Sequence, residues 1–197
     1  MSKQARKLRE YFYTIDIHGQ LFLADTKHKN FTSCFKEPKF LNFFYNRIQR
    51  NTLKYPNLFP YVSLCNNEIN YIRPALSPIV FHTLRDDTLF YAGNLNVKFE
   101  PELVTVNNDG YFYYPFEKAL YYPQDELREI KFKNVNNQVL DWGIHEYLQE
   151  LELLEKKGKD GNGFGLLKSS LVLNELAGGL EHEYFVYKNK KFPFNWI

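Results

Sequence analysis

Near its start the chain reads Tyr11-Phe-Tyr-Thr-Ile-Asp-Ile17, then His18-Gly19-Gln20, then Leu21-Phe-Leu23. Two apolar segments rich in aromatic and β-branched residues therefore flank a short polar link that contains glycine. Such residues favour the pleated strand, and a short glycine-containing link lets two strands fold back on each other. The stretch predicts an antiparallel β-hairpin and a fold based on β-sheet.

The same outline of strand, polar turn and strand recurs along the chain. Predicted strands lie at 61–65 and 68–73, at 78–84, 88–92 and 95–99, at 103–106 and 111–114, and in a last hairpin at 184–194. Three of the hairpins, at 15–23, 106–114 and 186–194, share one pattern. This pattern fits either a degenerate repeat or the convergence of unrelated hairpins on the same local solution.

Apolar residues at helical spacing predict three helices, at 39–50, 141–157 and 166–177. Pro38 suits the first turn of the first helix. The glycine-rich segment 158–165 lacks the Gly-Lys-Ser/Thr ending of a phosphate-binding loop, so it is predicted as a linker. Together the patterns predict an α+β fold of mainly antiparallel strands and hairpins, with about three helices packed on them.

Length and charge limit the class of protein. The 197 residues suffice for one domain, with two related α/β subdomains at 10–76 and 77–197 as the alternative. The 25 basic and 23 acidic residues give a formal charge of +2, which disfavours nucleic acid or a charged membrane surface as a partner. No apolar run approaches the roughly 18 residues that a membrane-spanning helix needs.

Cysteine and histidine spacing predicts neither a metal site nor a cofactor. Cys34 and Cys65 lie in apolar surroundings and are predicted to be reduced, buried thiols rather than a disulfide. The five histidines show no paired spacing of the kind that binds zinc.

The densest polar cluster, Asp25-Thr-Lys-His-Lys29, directly follows the first hairpin. Loops on a rigid scaffold often carry binding residues, and lysine and histidine suit an anionic group. We therefore expect a non-catalytic module that binds a small molecule or a protein through Asp25, Lys27, His28 and Lys29. A solvated loop without a ligand is the alternative for this segment.

Two other functions stay open at this point. An enzyme would need acid and base groups that converge only in the fold, with His18, Asp25, His28 and Glu37 as the nearest candidates. An organellar RNA-binding or ribosome-associated factor would need a basic, aromatic face on the folded surface. The sequence contains no catalytic constellation, so a binding module is favoured over an enzyme.

Several longer motifs identify a family. They are the ungapped block from Arg9 to Leu41, Ser77-Pro-Ile-Val-Phe-His-Thr-Leu84, Val97-Lys-Phe-Glu-Pro-Glu102, Asn108-Asp-Gly-Tyr-Phe-Tyr-Tyr-Pro115 and the segment from Gly165 to Leu176. Through them the chain resembles uncharacterised protein family 0598, the domain-of-unknown-function 4505 group. The resemblance covers most of the chain and implies that residues around 117–163 are an insertion. It supplies no catalytic residues.

The resemblance also carries expectations about location and fold. Animal members of the family look mitochondrial, so a mitochondrial location is expected, with the cytoplasm as the alternative because the basic opening from Met1 to Arg9 is short for a presequence. The order of hairpin, helix, strands and late helix is also similar to the bacterial domain-of-unknown-function 1285 proteins. That similarity implies two related α/β motifs and a ligand-binding or signalling role.

Overall fold

Three β-sheets form most of the computed structural model, which describes residues 9–116, 163–176 and 183–196. Strands hold 46% of these residues and helices hold 13%, and the described residues contain two α-helices. The predicted α+β class, with about three helices packed on strands, is therefore wrong: the fold is mostly β-sheet. Two of the segments with helical spacing lie partly in strands, and this accounts for much of the difference.

The elements follow one another along the chain in this order: β1 (Arg9–Ile15), β2 (Leu21–Leu23), α1 (Pro38–Tyr45), β3 (Ile48–Arg50), β4 (Tyr61–Cys65), β5 (Glu68–Pro74), β6 (Val80–Arg85), β7 (Thr88–Tyr91), β8 (Leu95–Lys98), a 3-10 helix (Pro101–Leu103), β9 (Thr105–Val106), β10 (Phe112–Phe116), β11 (Gly163–Leu167), α2 (Ser169–Glu175), β12 (Tyr184–Tyr187), β13 (Lys190–Pro193) and β14 (Asn195–Trp196). Within these ranges no helix is long and apolar enough to cross a membrane.

The first sheet has the strand order β2-β1-β5-β4-β3. The predicted hairpin at its edge is confirmed, because β1 and β2 pair antiparallel with Ile15 opposite Leu21. The centre of the sheet is a parallel pair, β1 with β5, and the remaining neighbours pair antiparallel. The predicted hairpin of β4 and β5 is likewise confirmed.

The second sheet has the order β14-β9-β10-β11-β6-β7-β8, and β12 and β13 form a separate hairpin. Within it, the five strands β7-β6-β11-β10-β9 repeat the order of the first sheet. The pairing also repeats, since β6 and β11 are parallel and the neighbours β7, β10 and β9 join antiparallel. Two successive parts of the chain thus adopt the same strand arrangement.

Helix α1 is shorter than the predicted helix at 39–50. It begins after Glu37, whose carboxylate accepts hydrogen bonds from the amides of Lys39 and Phe40, and it ends at Tyr45. Ile48–Arg50 instead forms β3, paired antiparallel with β4. Burial alternates along β3, and Ile48 lies in the core. A helix with the predicted apolar spacing would also have buried Ile48, so the sequence pattern suits either structure.

The predicted helix at 166–177 is also too long. Leu166 and Leu167 belong to β11, where the Leu166 amide donates to the Ile79 carbonyl, and α2 begins only at Ser169. Gly165 lies so close to the Phe81 ring that no Cβ would fit, which brings β11 against β6. The predicted linker is therefore wrong at 163–165, while 158–162 and the predicted helix at 141–157 lie outside the described residues.

Both sheets share one hydrophobic core. Phe81 in β6 contacts the rings of Tyr91, Tyr114 and Phe116, and it belongs to the same buried cluster as residues of β1 and α1. At the junction, Gly19 in the turn after β1 packs on the Val80 side chain. Of the two thiols, Cys65 is buried and free as predicted, whereas Cys34 is only partly buried.

Candidate functional site

The loop between β2 and α1 holds the predicted binding residues Asp25, Lys27, His28 and Lys29, and all four are exposed. The Lys29 ammonium donates to the carbonyls of Ala24 (3.2 Å) and Thr26 (3.1 Å), so it closes the loop on itself. The His28 carbonyl accepts a hydrogen bond from the Ser33 hydroxyl at 2.7 Å. The loop is therefore organised by its own backbone contacts and lies on the surface.

The four candidate acid and base residues occupy separate roles in the fold. His18 lies in the turn after β1, where its amide donates to the Asp16 carboxylate at 2.9 Å. Glu37 uses both carboxylate oxygens to cap α1, at 3.0 Å from the Lys39 amide and 2.5 Å from the Phe40 amide. Across the described ranges, no hydrogen bond or ion pair joins the side chains of His18, Asp25, His28 and Glu37.

A cleft of about 580 Å³ opens elsewhere, between α1 and the hairpin of β4 and β5. Its lining consists of Arg9, Phe40, Phe43, Cys65, Asn66, Asn67, Glu68 and Asn70. The volume falls in the range of small-molecule sites, roughly 300–1,000 Å³. None of the residues Asp25, Lys27, His28 or Lys29 lines it, so the cleft and the densest polar loop are different places.

The floor of the cleft comes from one face of the first sheet. Successive residues of a strand point to opposite faces, so Arg9, Glu68 and Cys65 form one row across β1, β5 and β4. Asn70, opposite Ser63 on β4, belongs to the next row. Helix α1 is held above this face by the Ser63 hydroxyl, which donates to the Phe44 carbonyl at 2.8 Å.

Asn70 is the unusual residue of this floor. Its side chain is only 2% exposed, and its Nδ2 donates to the Ser63 carbonyl at 3.0 Å. Its Oδ1 is buried and accepts no hydrogen bond from the residues the structure describes. A buried polar atom without a partner costs about 1–3 kcal/mol, and such atoms are uncommon in proteins.

An ion pair lies at one end of the cleft. The Arg9 guanidinium is 2.6 Å from the Glu68 carboxylate, and the Arg9 amide donates to the Asn67 carbonyl at 2.9 Å. The Arg9 side chain is 63% exposed, so this pair contributes little stability, of the order of 0–1 kcal/mol. Its importance for a ligand is that the two opposite charges compensate each other.

Two aromatic rings of α1 form an apolar wall. Phe40 and Phe43 are both half-buried and line the cleft. The Phe40 ring packs against Phe44 at 5.7 Å between centroids, and the Arg47 guanidinium lies 3.7 Å from the Phe43 centroid. The cleft therefore combines an aromatic wall with a larger polar part formed by Arg9, Asn66, Asn67, Glu68 and Asn70, so it is more polar than most small-molecule sites.

Metal binding and thiol chemistry receive no support from the lining. The Cys65 thiol contacts the Ser63 hydroxyl at 3.3 Å, and both groups are buried. Within the described ranges no group of three or more histidine, cysteine and acidic side chains is arranged to hold a metal ion.

The cleft was missed from the sequence because its parts come from three separated segments. Arg9 belongs to what reads as a basic tail, and Phe40 and Phe43 read as ordinary helix residues. Asn70 gave no signal either, because in the strand Glu68-Ile-Asn-Tyr-Ile-Arg73 it shares a face with Glu68 and reads as an outward-facing polar residue. Only the structure shows that it is buried.

Fold and cleft together define a β-rich domain with a compact pocket between a helix and a hairpin. A family model described as a domain of unknown function, DUF4505, matches residues 2–122. Because this match spans more than half of the chain, the protein belongs to the DUF4505 family. No solved structure matches the chain.

Proposed function

We propose that this protein is a non-catalytic binding module that holds a small molecule in the cleft between α1 and the hairpin of β4 and β5. The observation that carries the proposal is the buried Asn70 carbonyl on the floor of a 580 Å³ cleft, an acceptor that a ligand donor would satisfy. The aromatic wall of Phe40 and Phe43 supplies apolar contact, and the charges of Arg9 and Glu68 compensate each other.

Backbone amide NMR of the uniformly labelled protein tests this proposal. Nicotinamide, indole and benzyl alcohol serve as small uncharged probes. We expect at least one of them to shift the amide signals of Cys65, Asn66, Asn67 and Glu68 in a saturable way. If none of the three moves these signals up to its solubility limit, the proposal is wrong.

A pair of matched variants separates cleft binding from adhesion to any exposed ring. Phe43→Ala removes part of the cleft wall, and Phe31→Ala removes a ring that is 68% exposed and does not line the cleft. Each ring lies under one cation, Arg47 at 3.7 Å and Lys36 at 3.8 Å, so both variants lose a cation–π contact. We expect weaker probe binding in Phe43→Ala only; equal weakening in both variants would contradict the proposal.

The surface loop of Asp25, Lys27, His28 and Lys29 remains a second candidate site, for an anionic small molecule or a protein. Its exposed lysines favour this role, and the Lys29 ammonium closes the loop by donating to the Ala24 and Thr26 carbonyls. Titration with inorganic phosphate in the same NMR experiment distinguishes the two sites. A saturable shift confined to the Asp25–Lys29 amides would move the proposed site from the cleft to the loop.

Other expectations stay at the level of proposals. The finer assignment to uncharacterised protein family 0598, the similarity to domain-of-unknown-function 1285 proteins and a mitochondrial location rest on sequence resemblance. An enzyme built on His18, Asp25, His28 and Glu37 and an RNA- or ribosome-associated factor are the alternatives to a binding module. Turnover of a bound compound, or crosslinking to RNA in cells, would replace the binding proposal with one of them.

A further inference from the structure

We infer that the cleft recognises a flat, uncharged heterocycle with a ring amide, whose N–H donates to the Oδ1 of Asn70. This inference rests on the proposed function, because it names the chemical class of the ligand held in the same cleft. Three properties of the cleft lead to it: the acceptor on the floor, the compensated charge at one end and the aromatic wall.

Because Asn70 Oδ1 is a hydrogen-bond acceptor, the ligand group that faces it must be a donor. A carbonyl oxygen cannot donate, so the Asn70 nitrogen must be the atom that faces the Ser63 carbonyl at 3.0 Å. The orientation of the amide therefore leaves Oδ1 as the group without a partner. A ligand with an N–H or O–H donor satisfies this atom, and a bound ligand without a donor leaves it buried and unpaired.

The Arg9–Glu68 ion pair at one end of the cleft disfavours a charged ligand. A carboxylate placed beside Arg9 is repelled by Glu68, and an ammonium placed beside Glu68 is repelled by Arg9, since these two side chains are 2.6 Å apart. The remaining polar lining consists of Asn66, Asn67 and Asn70, which are neutral amides. A neutral ligand that both donates and accepts hydrogen bonds matches this set better than a charged one.

The wall favours a flat ring over a branched aliphatic chain. Phe40 and Phe43 both present aromatic surface, against which planar rings pack in offset or edge-on contacts. A cyclic amide combines a flat ring, an N–H donor and a carbonyl acceptor in one uncharged group. Its carbonyl can accept from the exposed Asn66 side chain at the rim of the cleft.

Access to Oδ1 requires a local movement. Although Asn70 lines the cleft, its Oδ1 is closed off from solvent. We propose Arg9 as the side chain that moves, because it is 63% exposed and is bound to Glu68 through a surface ion pair. Binding is therefore expected to shift the NMR signals of the Arg9 guanidinium together with those of the turn Asn66-Asn67.

Two nearly identical probes test the inference: 2-pyridone, which has the ring N–H, and N-methyl-2-pyridone, which does not. In the wild-type protein, 2-pyridone should bind about five- to tenfold more tightly, as measured from the Asn66, Asn67 and Glu68 amide signals. In Asn70→Leu, of similar size but without the acceptor, this ratio should fall to about one. Asn174→Leu on the exposed face of α2 is the control and should keep the wild-type ratio.

Failure of the inference can be told apart from failure of the proposed function. Equal binding of both pyridones in the wild-type cleft overturns the inference and leaves the cleft as a ligand site. An Asn70→Leu variant that keeps the wild-type ratio overturns it as well. Absence of any cleft shift with the pyridones, nicotinamide, indole and benzyl alcohol overturns both. The wild-type ratio alone decides the inference if Asn70→Leu does not fold.

Discussion

At the scale of single residues, Glu37 is a candidate acid or base whose carboxylate has a structural role as a helix cap. Its carboxylate accepts from the Lys39 and Phe40 amides at the start of α1, where the first N–H groups of a helix have no partner within the helix. The negative charge also suits the positive end of the helix dipole. Because α1 forms one wall of the cleft, the cap of this helix positions Phe40 and Phe43.

Replacing Glu37 should therefore lower stability. We expect Glu37→Ala to reduce the free energy of unfolding by about 1 kcal/mol, the usual effect of losing a helix cap. The measurement is urea denaturation followed by far-UV circular dichroism. Glu102→Ala is the control, because Glu102 is also exposed and its side chain makes no hydrogen bond to the residues that the structure describes. This variant should change the free energy of unfolding by less than about 0.5 kcal/mol. Equal effects would refute the cap.

Asp87 connects the terminal hairpin of β12 and β13 to the turn between β6 and β7. Its carboxylate accepts from the Lys188 ammonium at 2.6 Å and from the Tyr187 hydroxyl at 2.7 Å. The Lys188 hydrogen bond, followed by that of Tyr187, lowers the pKa of Asp87 below its usual value. A carboxyl group with a lowered folded-state pKa stabilises the fold above its unfolded pKa of about 4, and this contribution is lost as the pH falls through the folded value.

The melting temperature of Asp87→Asn should accordingly lie below that of the wild type at pH 7, and the difference should shrink as the pH falls below about 4. Asp86→Asn is the matched control, because both residues have positive φ, 50° for Asp86 and 55° for Asp87, which asparagine also adopts. Thermal melts across this pH range provide the measurement. A difference that stays constant with pH, or that appears equally in Asp86→Asn, would contradict the role of the Asp87 carboxylate.

At the scale of elements, the contact between α1 and the turn after β7 joins the two sheets. The Asn94 amide donates to the Asn42 side chain at 3.0 Å, and the two side-chain amides are also hydrogen-bonded. Gly93 lies directly on α1, where an added Cβ would come within 2.6 Å of the Pro38 carbonyl. A side chain at this position would push the turn away from the helix.

Gly93→Ala should therefore destabilise the protein by about 1–3 kcal/mol, as overpacking usually does. Gly110→Ala is the comparison, because Gly110 has a φ of 80° but no atom near its would-be Cβ, so its cost comes from backbone strain alone. The second measurement that separates the two is NMR: Gly93→Ala should shift the amide signals of α1, and Gly110→Ala should leave them unchanged. Unchanged α1 signals in Gly93→Ala would mean that the turn at Gly93 does not pack against α1.

The elements also explain how much the sequence predicts. Hairpins such as Arg9–Ile15 with Leu21–Leu23 follow from local patterns of strand and turn residues, and these predictions are confirmed. The ends of the helices do not follow from local patterns, because the apolar spacing around Ile48 and Leu166 suits a helix as well as a strand. The pairing of these residues with distant strands decides between the two structures. The cleft needs Arg9, Phe40 and Asn70 to meet in space, which no local pattern encodes.

At the scale of the whole molecule, the two main sheets repeat one strand order and share one core. The repeated order supports the predicted division into related units at 10–76 and 77–197, and this division stays a prediction. Contacts cross the junction, since Gly19 packs on Val80 and the Asn94 amide donates to the Asn42 side chain at 3.0 Å. A core shared in this way favours cooperative unfolding.

We expect the sheets to unfold together in a single transition. The thiol of Cys65 reports on the first sheet in a Cys34→Ser background, and the fluorescence of Trp196 reports on the second in a Trp142→Phe background. Urea transitions measured by thiol labelling and by fluorescence should share one midpoint. Two separated midpoints would mean that the sheets are independent units and that their shared core contributes little coupling.

The central claim is that the cleft between α1 and the hairpin of β4 and β5 holds a small molecule. Its most direct test is a crystal structure of the protein purified from its own cells without added ligand. We predict electron density for a small molecule against Phe40 and Phe43, with a donor atom within about 3 Å of the Oδ1 of Asn70. Density for a bound compound at the Asp25–Lys29 loop, with only solvent in the cleft, would contradict the claim.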